Sequence, residues 1–334
     1  MSTVGTKLNL VDLVSRLDPD QKIAPIAEIL AETNEILDDM VWKEGNLPTG
    51  HRYTRRTGIP SPTWRKLNQG VVPGKSSTEQ EDAACAMLEA YSECDKELAD
   101  LNGNTAAFRA SEAGAHIEAM SQEFADKLFY GNVNTSPEQF KGLANYYNAA
   151  STTKTAIGYN VIKAGGAGDD NTSIYLVGWS PRTIFGVYPK GSQAGLKFED
   201  KGQVTLGDET NGYYEGYRSH FQWKCGIAIP DWRYVVRIGN IDVSALSTFG
   251  SGSDTSAALI RLMVQAYHKI PHINACKPVW YCNGTVKQWL DIMAMEKTNV
   301  RLGISEYAGQ EITSFRNIPI KKCDSILDSE TVVS

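Results

Sequence analysis

The most regular pattern of apolar and polar positions lies at residues 105–130. Apolar side chains recur there at steps of three or four, which is typical of one face of an α-helix. The stripe consists of Ala106, Ala110, Ala113, Ile117, Met120, Phe124 and Leu128. Asn104 or Thr105 can cap the start, and Gly131 follows as a C-terminal cap. At ~1.5 Å per residue, this helix is expected to be a rod about 39 Å long.

Upstream of this helix, residues 50–70 predict an extended hairpin. Polar and aromatic side chains alternate across Tyr53–Arg56, and glycine and prolines punctuate residues 58–62. The pattern predicts a long two-stranded hairpin whose tip carries the prolines. Because the strands contain few apolar residues, such a hairpin needs another surface to lie on.

Two neighbouring segments have less regular patterns. Residues 22–39 predict a short amphipathic helix that is interrupted near Pro25. The composition of residues 79–100 favours a helix, although the alternation around Leu88 also permits a strand.

Downstream of residue 150 the chain becomes rich in strand patterns. Continuous apolar or alternating runs predict strands at residues 173–179, 183–188 and 221–238. Residues 254–270 predict a helix that is apolar on most sides, hence largely buried, and that Pro271 ends.

The last hundred residues contain a strand–helix–strand pattern. Residues 279–282 predict a strand, residues 285–297 a helix and residues 300–304 a second strand. Such a unit implies local parallel pairing. Residues 311–327 read as further strand.

Composition restricts the class of protein. The chain has 334 residues, of which 42% are hydrophobic and 22% charged, typical of a globular protein of about two domains. No run of 18 apolar residues occurs and the N-terminus lacks an apolar signal region, so neither a membrane span nor export is expected. Six cysteines without a CxxC pair fit a reduced, cytosolic setting.

Charge is strongly segregated along the chain. Residues 41–75 carry seven basic side chains and one acidic, net +6, whereas residues 76–130 carry three basic and twelve acidic, net −9. The basic segment is a solvated loop, a nucleic-acid-binding arm or an arm that docks on an acidic surface of another copy. The last interpretation fits best, since opposite patches out of each other's reach on one molecule favour head-to-tail contacts.

Motifs for chemistry are weak. The glycine-rich segment 164–170 lacks the lysine of a phosphate loop and reads as a flexible connection. The spacing of His268, His272, Cys276 and Cys282 matches no standard zinc site. We therefore predict no catalytic residue, no metal site and no cofactor, and no enzymatic activity.

The order of these parts resembles the major capsid protein of tailed double-stranded-DNA bacteriophages, which has the Hong Kong 97 fold. Residues 93–132 are similar to that family's entry into its spine helix. Residues 129–148 are similar to the turn that follows, with matches at Gly131, Pro137, Phe140, Gly142 and Leu143. Residues 173–191 and 226–241 resemble strands of a podovirus-like branch.

The resemblance implies an α+β, Hong Kong 97-like fold with five parts. Residues 1–35 would be the N-terminal arm, and residues 36–80 the extended E-loop hairpin. Residues 81–150 would be the peripheral (P) domain with its spine helix at 105–130, and residues 151–325 the α/β axial (A) domain, with some strands returning to the P domain. Residues 326–334 would be a C-terminal tail. Residues 79–94 look more helical than the strand this family has there.

The resemblance also implies a function. The chain would self-assemble into hexamers and pentamers of an icosahedral shell that encloses packaged double-stranded phage DNA without sequence-specific binding. Scaffolding, portal and cement proteins would be partners, no membrane would be involved, and assembly would occur in the host bacterial cytoplasm. Alternatives are an encapsulin-like compartment on the same fold, an α/β enzyme with a ligand site at 164–170, and a nucleic-acid-binding module that uses the basic hairpin.

Candidate contact residues between copies follow from the charge pattern. The basic and aromatic side of the expected contact comprises Trp42, Lys43, Arg52, Tyr53, Arg55, Arg56, Trp64, Arg65 and Lys66. The acidic side comprises Glu112, Glu118, Glu123 and Asp126 on the predicted long helix.

Overall fold

The computed structural model describes residues 32–101, 105–207, 212–246, 255–295, 302–307 and 310–334. Its strands are β1 Trp42–Glu44, β2 Gly50–Gly58, β3 Ser77–Ala84, β4 Ala86–Asp95, β5 Val161–Lys163, β6 Asn171–Trp179, β7 Phe185–Tyr188, β8 Leu196–Gly207, β9 Tyr213–Ala228, β10 Val235–Asp242, β11 Lys277–Cys282, β12 Leu302–Tyr307, β13 Gln310–Phe315 and β14 Ile318–Lys322. The helices are α1 Ile36–Asp39, α2 Lys96–Asp100, α3 Thr105–Tyr130, α4 Leu143–Tyr146, α5 Val243–Leu246, α6 Thr255–Lys269 and α7 Gly284–Met295.

The described residues divide into two compact units. The first comprises Glu32, Met87–Ala125 and Gly195–Lys224, and the second Thr33–Ala86, Asp126–Ala194 and Cys225–Ser334. No helix in the described ranges is long and apolar enough to cross a membrane. The predicted helix at 22–39 falls mostly outside the described residues, which include only its last turn, α1.

A seven-stranded sheet forms the core of the second unit, in the order β12-β13-β14-β11-β6-β10-β5. Every residue of β6 is buried, because both faces of the sheet are covered. On one face, Leu176 and Trp280 belong to a cluster that includes Met263 of α6 and Leu290 of α7. On the other face, the ring of Tyr175 lies 5.1 Å from that of Phe129 at the end of α3.

The strand–helix–strand pattern near the C-terminus exists, but its strands do not pair with each other. β11 pairs in parallel with β14, whereas β12 pairs antiparallel with β13, which pairs antiparallel with β14. β11 and β12 therefore run in the same direction with two strands between them. The expected local parallel pairing is wrong, because the later strands β13 and β14 fill the space between them.

The first unit combines most of α3 with the long hairpin of β8 and β9. These strands pair antiparallel, with Phe198 opposite Phe221. Phe124 of α3 lies 4.6 Å from the ring of Trp223, and His116 stacks on Phe221 at 5.8 Å. β4 lies on the other side of β9. The strand β8 was not predicted, although its apolar positions alternate.

The α3 helix has the predicted bounds, but its buried face differs from the predicted stripe. Phe108, Met120, Phe124 and Leu128 are at most 4% exposed, and they are separated by four residues or multiples of four. Ile117 is 44% exposed, and Ala106 and Ala110 are exposed too. The large side chains set the buried face because they bury far more apolar area than alanine does.

Of the two alternatives that the sequence leaves open for residues 79–94, the structure has the strand and not the helix that the composition favours. The segment forms the strands β3 and β4, and only α2 after them is helical. β3 carries acidic side chains that meet arginines of β2 across the ladder, so cross-strand pairing outweighs the helix propensity of glutamate and alanine.

Three other predicted elements need smaller corrections. The predicted strand at 221–238 is two strands, because β9 ends before Pro230 and a 3₁₀ turn at Trp232–Tyr234 precedes β10. The α6 helix has the predicted position but is amphipathic, because Arg261 and Gln265 are exposed. The predicted strand 311–327 divides into the end of β13, β14 and an irregular segment.

Candidate intersubunit surface

The basic segment forms a hairpin with a partner strand that differs from the predicted one. β2 pairs antiparallel with β3, with Tyr53 opposite Glu81 and a register shift between Arg56 and Gly58. The predicted return strand within residues 50–70 is wrong. Residues 59–76 instead connect β2 to β3 as an eighteen-residue segment without helix or strand, which we call the hairpin loop.

The hairpin root, defined as Tyr53, Arg55 and Glu81, packs against other parts of the second unit, to which it belongs. Tyr53 is 8% exposed and belongs to a cluster with Phe185 and Ala228. Burial raises the pKa of Tyr53 above its ordinary value. The Arg55 guanidinium lies 2.9 Å from a carboxylate oxygen of Glu81, and its central carbon lies over the Tyr53 ring, 5.7 Å from the ring centre.

Arg52 also has a partner within its own hairpin. Its Nε and Nη2 donate to the two carboxylate oxygens of Asp82 at 2.6 and 2.7 Å. This pair is about half exposed on both sides. The prediction that the basic and acidic patches of one chain are out of each other's reach is therefore wrong for Arg52 and Arg55, because β3 brings acidic residues directly opposite β2.

The predicted residues before the hairpin lie on the body of the second unit. Trp42 pairs with Gly186 in the parallel β1–β7 ladder. A side chain at Gly186 would approach the Trp42 indole to 2.8 Å, so glycine is required there. Lys43 is exposed, and its Nζ lies 5.1 Å from the centre of the Phe185 ring.

The hairpin loop is exposed along its whole length, and it carries both apolar and basic side chains. Its large apolar residues are Ile59 at 85%, Trp64 at 101%, Leu67 at 92%, Val71 at 47% and Val72 at 86% exposed. Its charged residues are Arg65, Lys66 and Lys75, without any acidic residue. These three and the exposed Arg56 make no ion pair among the residues that the structure describes.

Four of the loop's apolar residues were absent from the predicted contact set. Ile59 directly precedes Pro60, and Leu67, Val71 and Val72 lie between Pro62 and Pro73, in a segment without helical or strand periodicity. Large apolar residues in a segment without such periodicity are the sequence signal that could have indicated these four contact residues.

The acidic candidates lie on α3 and differ in their surroundings. Glu118 accepts hydrogen bonds from Gln122 Nε2 at 2.9 Å and from the backbone N–H of Glu32 at 3.1 Å. Asp126 pairs with the neighbouring Lys127 at 2.6 Å. Glu112 is half-buried, and Glu123 is exposed.

A buried carboxylate anchors the segment that leads into the hairpin. The Asp39 side chain is 2% exposed and lies 2.7 Å from Lys277 Nζ and 2.8 Å from Lys321 Nζ. Tyr281 Oη donates to it at 2.8 Å. Burial alone would raise the pKa of Asp39, but hydrogen bonds from the two lysines and the tyrosine hold it below the ordinary value.

A second buried ion pair holds the C-terminal residues. Arg237 Nη2 lies 2.8 Å from Glu330 Oε2, and both side chains are at most 5% exposed. Tyr130 and Ser173 also donate to the Glu330 carboxylate. Asn240 makes two hydrogen bonds with the backbone of residue 333.

The glycine-rich segment 164–170 is bonded into the fold. The backbone N–H groups of Ala164 and Gly166 donate to the carbonyl oxygens of Gly239 and Asn240. Asp170 accepts a hydrogen bond from the backbone N–H of Ser244 at 3.2 Å. These hydrogen bonds thus hold the segment that connects β5 to β6 in place. Among the described residues, no three His, Cys, Asp or Glu side chains are grouped so as to hold a metal ion.

Comparison with known proteins places these features in a family. A model of the major capsid protein GP7 matches residues 18–334. A chain of the cryo-EM structure of bacteriophage Epsilon15 is 34% identical with a TM-score of 0.78, and the match covers 100% of this chain and 99% of that one. No curated protein sequence matches the chain.

More distant structures share the fold. The bacteriophage JBD30 capsid matches with 9% identity and a TM-score of 0.52, covering 90% of this chain and 95% of that one. An encapsulin of Synechococcus elongatus PCC 7942 has 12% identity and a TM-score of 0.44, over 70% of this chain and 97% of that one, which is too weak to support an assignment. The expected α+β, Hong Kong 97-like fold is confirmed. The chain belongs to the major capsid protein GP7 family, whose members are structural proteins of tailed phages.

Proposed function

We propose that copies of this capsid protein bind one another through the hairpin loop, residues 59–76, and so form the hexamers and pentamers of an icosahedral shell. Each copy gives one loop and receives one, so the contacts close around a ring. The observation that carries this proposal is the exposure of Ile59, Trp64, Leu67 and Val72, each at least 85%. Monomeric proteins rarely keep such a concentration of large apolar side chains in water.

Apolar burial supplies more of the contact energy than charge does. Fully burying a large apolar side chain contributes roughly 1.5–3 kcal/mol, whereas an exposed ion pair contributes ~0.2–1 kcal/mol. The basic residues Arg56, Arg65 and Lys66 then orient the loop toward an acidic surface. We assign that surface to α3 of the second copy, through Glu112, Glu118, Glu123 and Asp126.

The parts of the chain take the roles that the family resemblance implies. Residues 1–35 are the N-terminal arm, residues 36–80 the E-loop, and residues 81–150 the P domain. Residues 151–325 are the A domain, and residues 326–334 the C-terminal tail. The hairpin itself continues to Ala84, the last residue of β3.

The shell encloses packaged double-stranded DNA and assembles in the host bacterial cytoplasm with scaffolding, portal and cement proteins. The net charge of −6 supports a container that holds DNA without binding its phosphates tightly. In this proposal the protein acts as a building unit of the shell.

Substitution of the loop's apolar residues tests the proposal. In the full-length chain, Trp64→Ser with Leu67→Ser removes two exposed apolar side chains without disturbing a buried contact. We expect the yield of closed shells, measured by electron microscopy and sedimentation, to fall at least about tenfold, because the lost burial is worth several kcal/mol per contact.

The matched control is Tyr213→Ser, which removes another exposed aromatic side chain, 82% exposed and outside the loop. We expect shells of normal yield from this variant. Normal shells from the loop variant, or equal loss from the control, would remove the loop from the assembly contact.

A further inference from the structure

The hairpin loop reaches a neighbouring copy only if the hairpin is held in one direction. The antiparallel ladder of β2 and β3 fixes the hairpin internally, but it does not fix the angle between the hairpin and the body of its unit. Backbone hydrogen bonds hold the chain that enters the hairpin, for example from the Lys190 N–H to the Leu47 carbonyl oxygen at 3.1 Å, and side chains at the root add contacts farther along β2.

One residue of the root makes directional contacts with the body. Arg55 Nη2 donates to the carbonyl oxygen of Ile229 at 3.0 Å, and Arg55 Nε to that of Pro230 at 3.3 Å. These carbonyls directly follow β9, where the proline ends the ladder. The same guanidinium pairs with Glu81 of β3 at 2.9 Å.

The apolar part of the root is less directional. Tyr53 and Ala83 pack against Phe185, Val187 and Ala228. Apolar contacts of this kind are roughly proportional to buried area and have no fixed direction. A planar guanidinium with five N–H donors, by contrast, can bind β3 and two successive carbonyls only in one orientation.

We propose that Arg55 is a positioning residue that sets the direction of the hairpin, and that it makes no contact with the second copy. This inference rests on the proposed function, in which the loop docks on that copy. It changes the role of Arg55 from a contact of the charged surface to an internal brace between β2, β3 and the end of β9. The 20% exposure of its side chain agrees with an internal role.

The sequence supplies a matched control in the next residue. Arg56 is exposed, lies on the same strand and makes no ion pair among the described residues. Arg55→Met and Arg56→Met therefore remove the same charge from adjacent positions. Arg52→Met is a second control, because it breaks an ion pair inside the hairpin without touching the body.

Amide hydrogen exchange of the unassembled full chain measures the brace directly. We expect Arg55→Met to accelerate exchange about tenfold or more in peptides covering residues 50–58 and 225–231, since hydrogen bonds to a charged group are lost there. Exchange elsewhere should change little, and both control variants should resemble the wild type. Arg55→Met should also reduce closed shells or produce irregular ones in electron micrographs.

The outcomes separate the brace from the docking of the loop. Equal exchange in Arg55→Met and Arg56→Met, or faster exchange spread over the whole chain, overturns the brace. Faster exchange at the root with normal shells also overturns it as a device of assembly. If the Trp64→Ser, Leu67→Ser variant assembles normally while Arg55→Met does not, the docking proposal fails and the brace stands. Should Arg55→Met fail to fold, Glu81→Gln weakens the same brace from β3 and should accelerate exchange at residues 50–58.

Discussion

The hairpin root and the hairpin loop follow each other in the chain and contain the same kinds of residue, yet they have opposite surroundings. Tyr53 of the root is 8% exposed, whereas Trp64 of the loop is 101% exposed. Arg55 has three hydrogen-bond acceptors, whereas Arg65 has no ion-pair partner among the described residues. Basic and aromatic composition therefore predicts that a segment makes contacts, but not whether those contacts lie inside the chain or outside it.

The largest expected difference between root and loop concerns stability. Tyr53→Ala should lower the free energy of unfolding by about 3–5 kcal/mol, because it removes a buried aromatic side chain. Trp64→Ala should change it by less than about 0.5 kcal/mol, since its side chain contacts only solvent in the single chain. Thermal or denaturant unfolding of the unassembled chain measures both values.

For the yield of shells, we expect the opposite order to that for stability: the loss should be larger for Trp64→Ala than for Tyr53→Ala. At a temperature where both are folded, Trp64→Ala should give fewer shells despite its unchanged stability. A large loss of stability in Trp64→Ala would show that the loop packs on its own chain, which would end the distinction between root and loop.

The next largest effect is expected from acid, which should lower the stability of the folded chain by protonating Asp39, the buried carboxylate that precedes the hairpin root. The pKa of Asp39 is below its ordinary value of 3.8 in the folded chain, so its contribution to stability is present above that pH. It is lost as the pH falls from 3.8 through the lowered pKa. Asp39→Asn should cost about 3–5 kcal/mol at neutral pH, because it leaves buried lysine contacts uncompensated.

The pH profile distinguishes this anchor from a surface carboxylate. The difference in stability between the wild type and Asp39→Asn should shrink below pH 3.8 as the wild-type carboxylate becomes protonated. Asp38→Asn, at the exposed neighbouring position, is the control and should show little difference at any pH. A difference that is constant between pH 2 and 7 would contradict the role of Asp39.

Reversing the charge of the loop should have a smaller effect that depends on salt. Arg65→Glu with Lys66→Glu should slow assembly at low ionic strength, because exposed charges mainly steer association. At about 0.5 M salt the difference from the wild type should largely disappear, since the Debye length is then only a few ångströms. Light scattering during assembly measures the rates, and an effect independent of salt would contradict steering.

The smallest effect is expected at Arg52. Its pair with Asp82 is about half exposed on both sides. Exposed pairs contribute little to folding. Arg52→Met should leave both the unfolding midpoint and the shell yield unchanged, and a clear loss of shells would place Arg52 in the contact between copies.

Local patterns predicted those elements whose formation depends on residues within the element or directly next to it. The bounds of α3 followed from its apolar spacing and from Gly131, at which a side chain would lie 2.4 Å from the carbonyl oxygen of Phe140. The buried run of β6 was likewise visible as a strand. Both signals lie within a few residues of the element that they predict.

The pairing of strands was not predictable in the same way. Nothing near β2 indicates that its partner begins at Ser77, after eighteen intervening residues, rather than within residues 59–70. The ion pairs between the two strands, Arg52 with Asp82 and Arg55 with Glu81, join positions that a local reading treats as separate charge patches. The same reason explains why the sequence left both a helix and a strand open for residues 79–100.

The candidate surface was predictable in kind but not in detail. The aromatic and basic side chains of the loop were identified, whereas its aliphatic residues were missed because they fit no periodic pattern. The internal role of Arg55 depends on two backbone carbonyls at Ile229 and Pro230. A backbone acceptor has no sequence signal, since every residue has one.

The position of β14 has a consequence for synthesis of the chain on the ribosome. This strand lies between β13 and β11 inside the seven-stranded sheet, although it follows both of them in the sequence. The guanidinium of Arg237 gains its buried carboxylate only when Glu330 has emerged. A chain that stops before Ile318 lacks the strand that joins β13 to β11, and one that stops before Glu330 leaves the Arg237 guanidinium without its carboxylate. We expect such shortened chains to compete poorly for places in a growing particle.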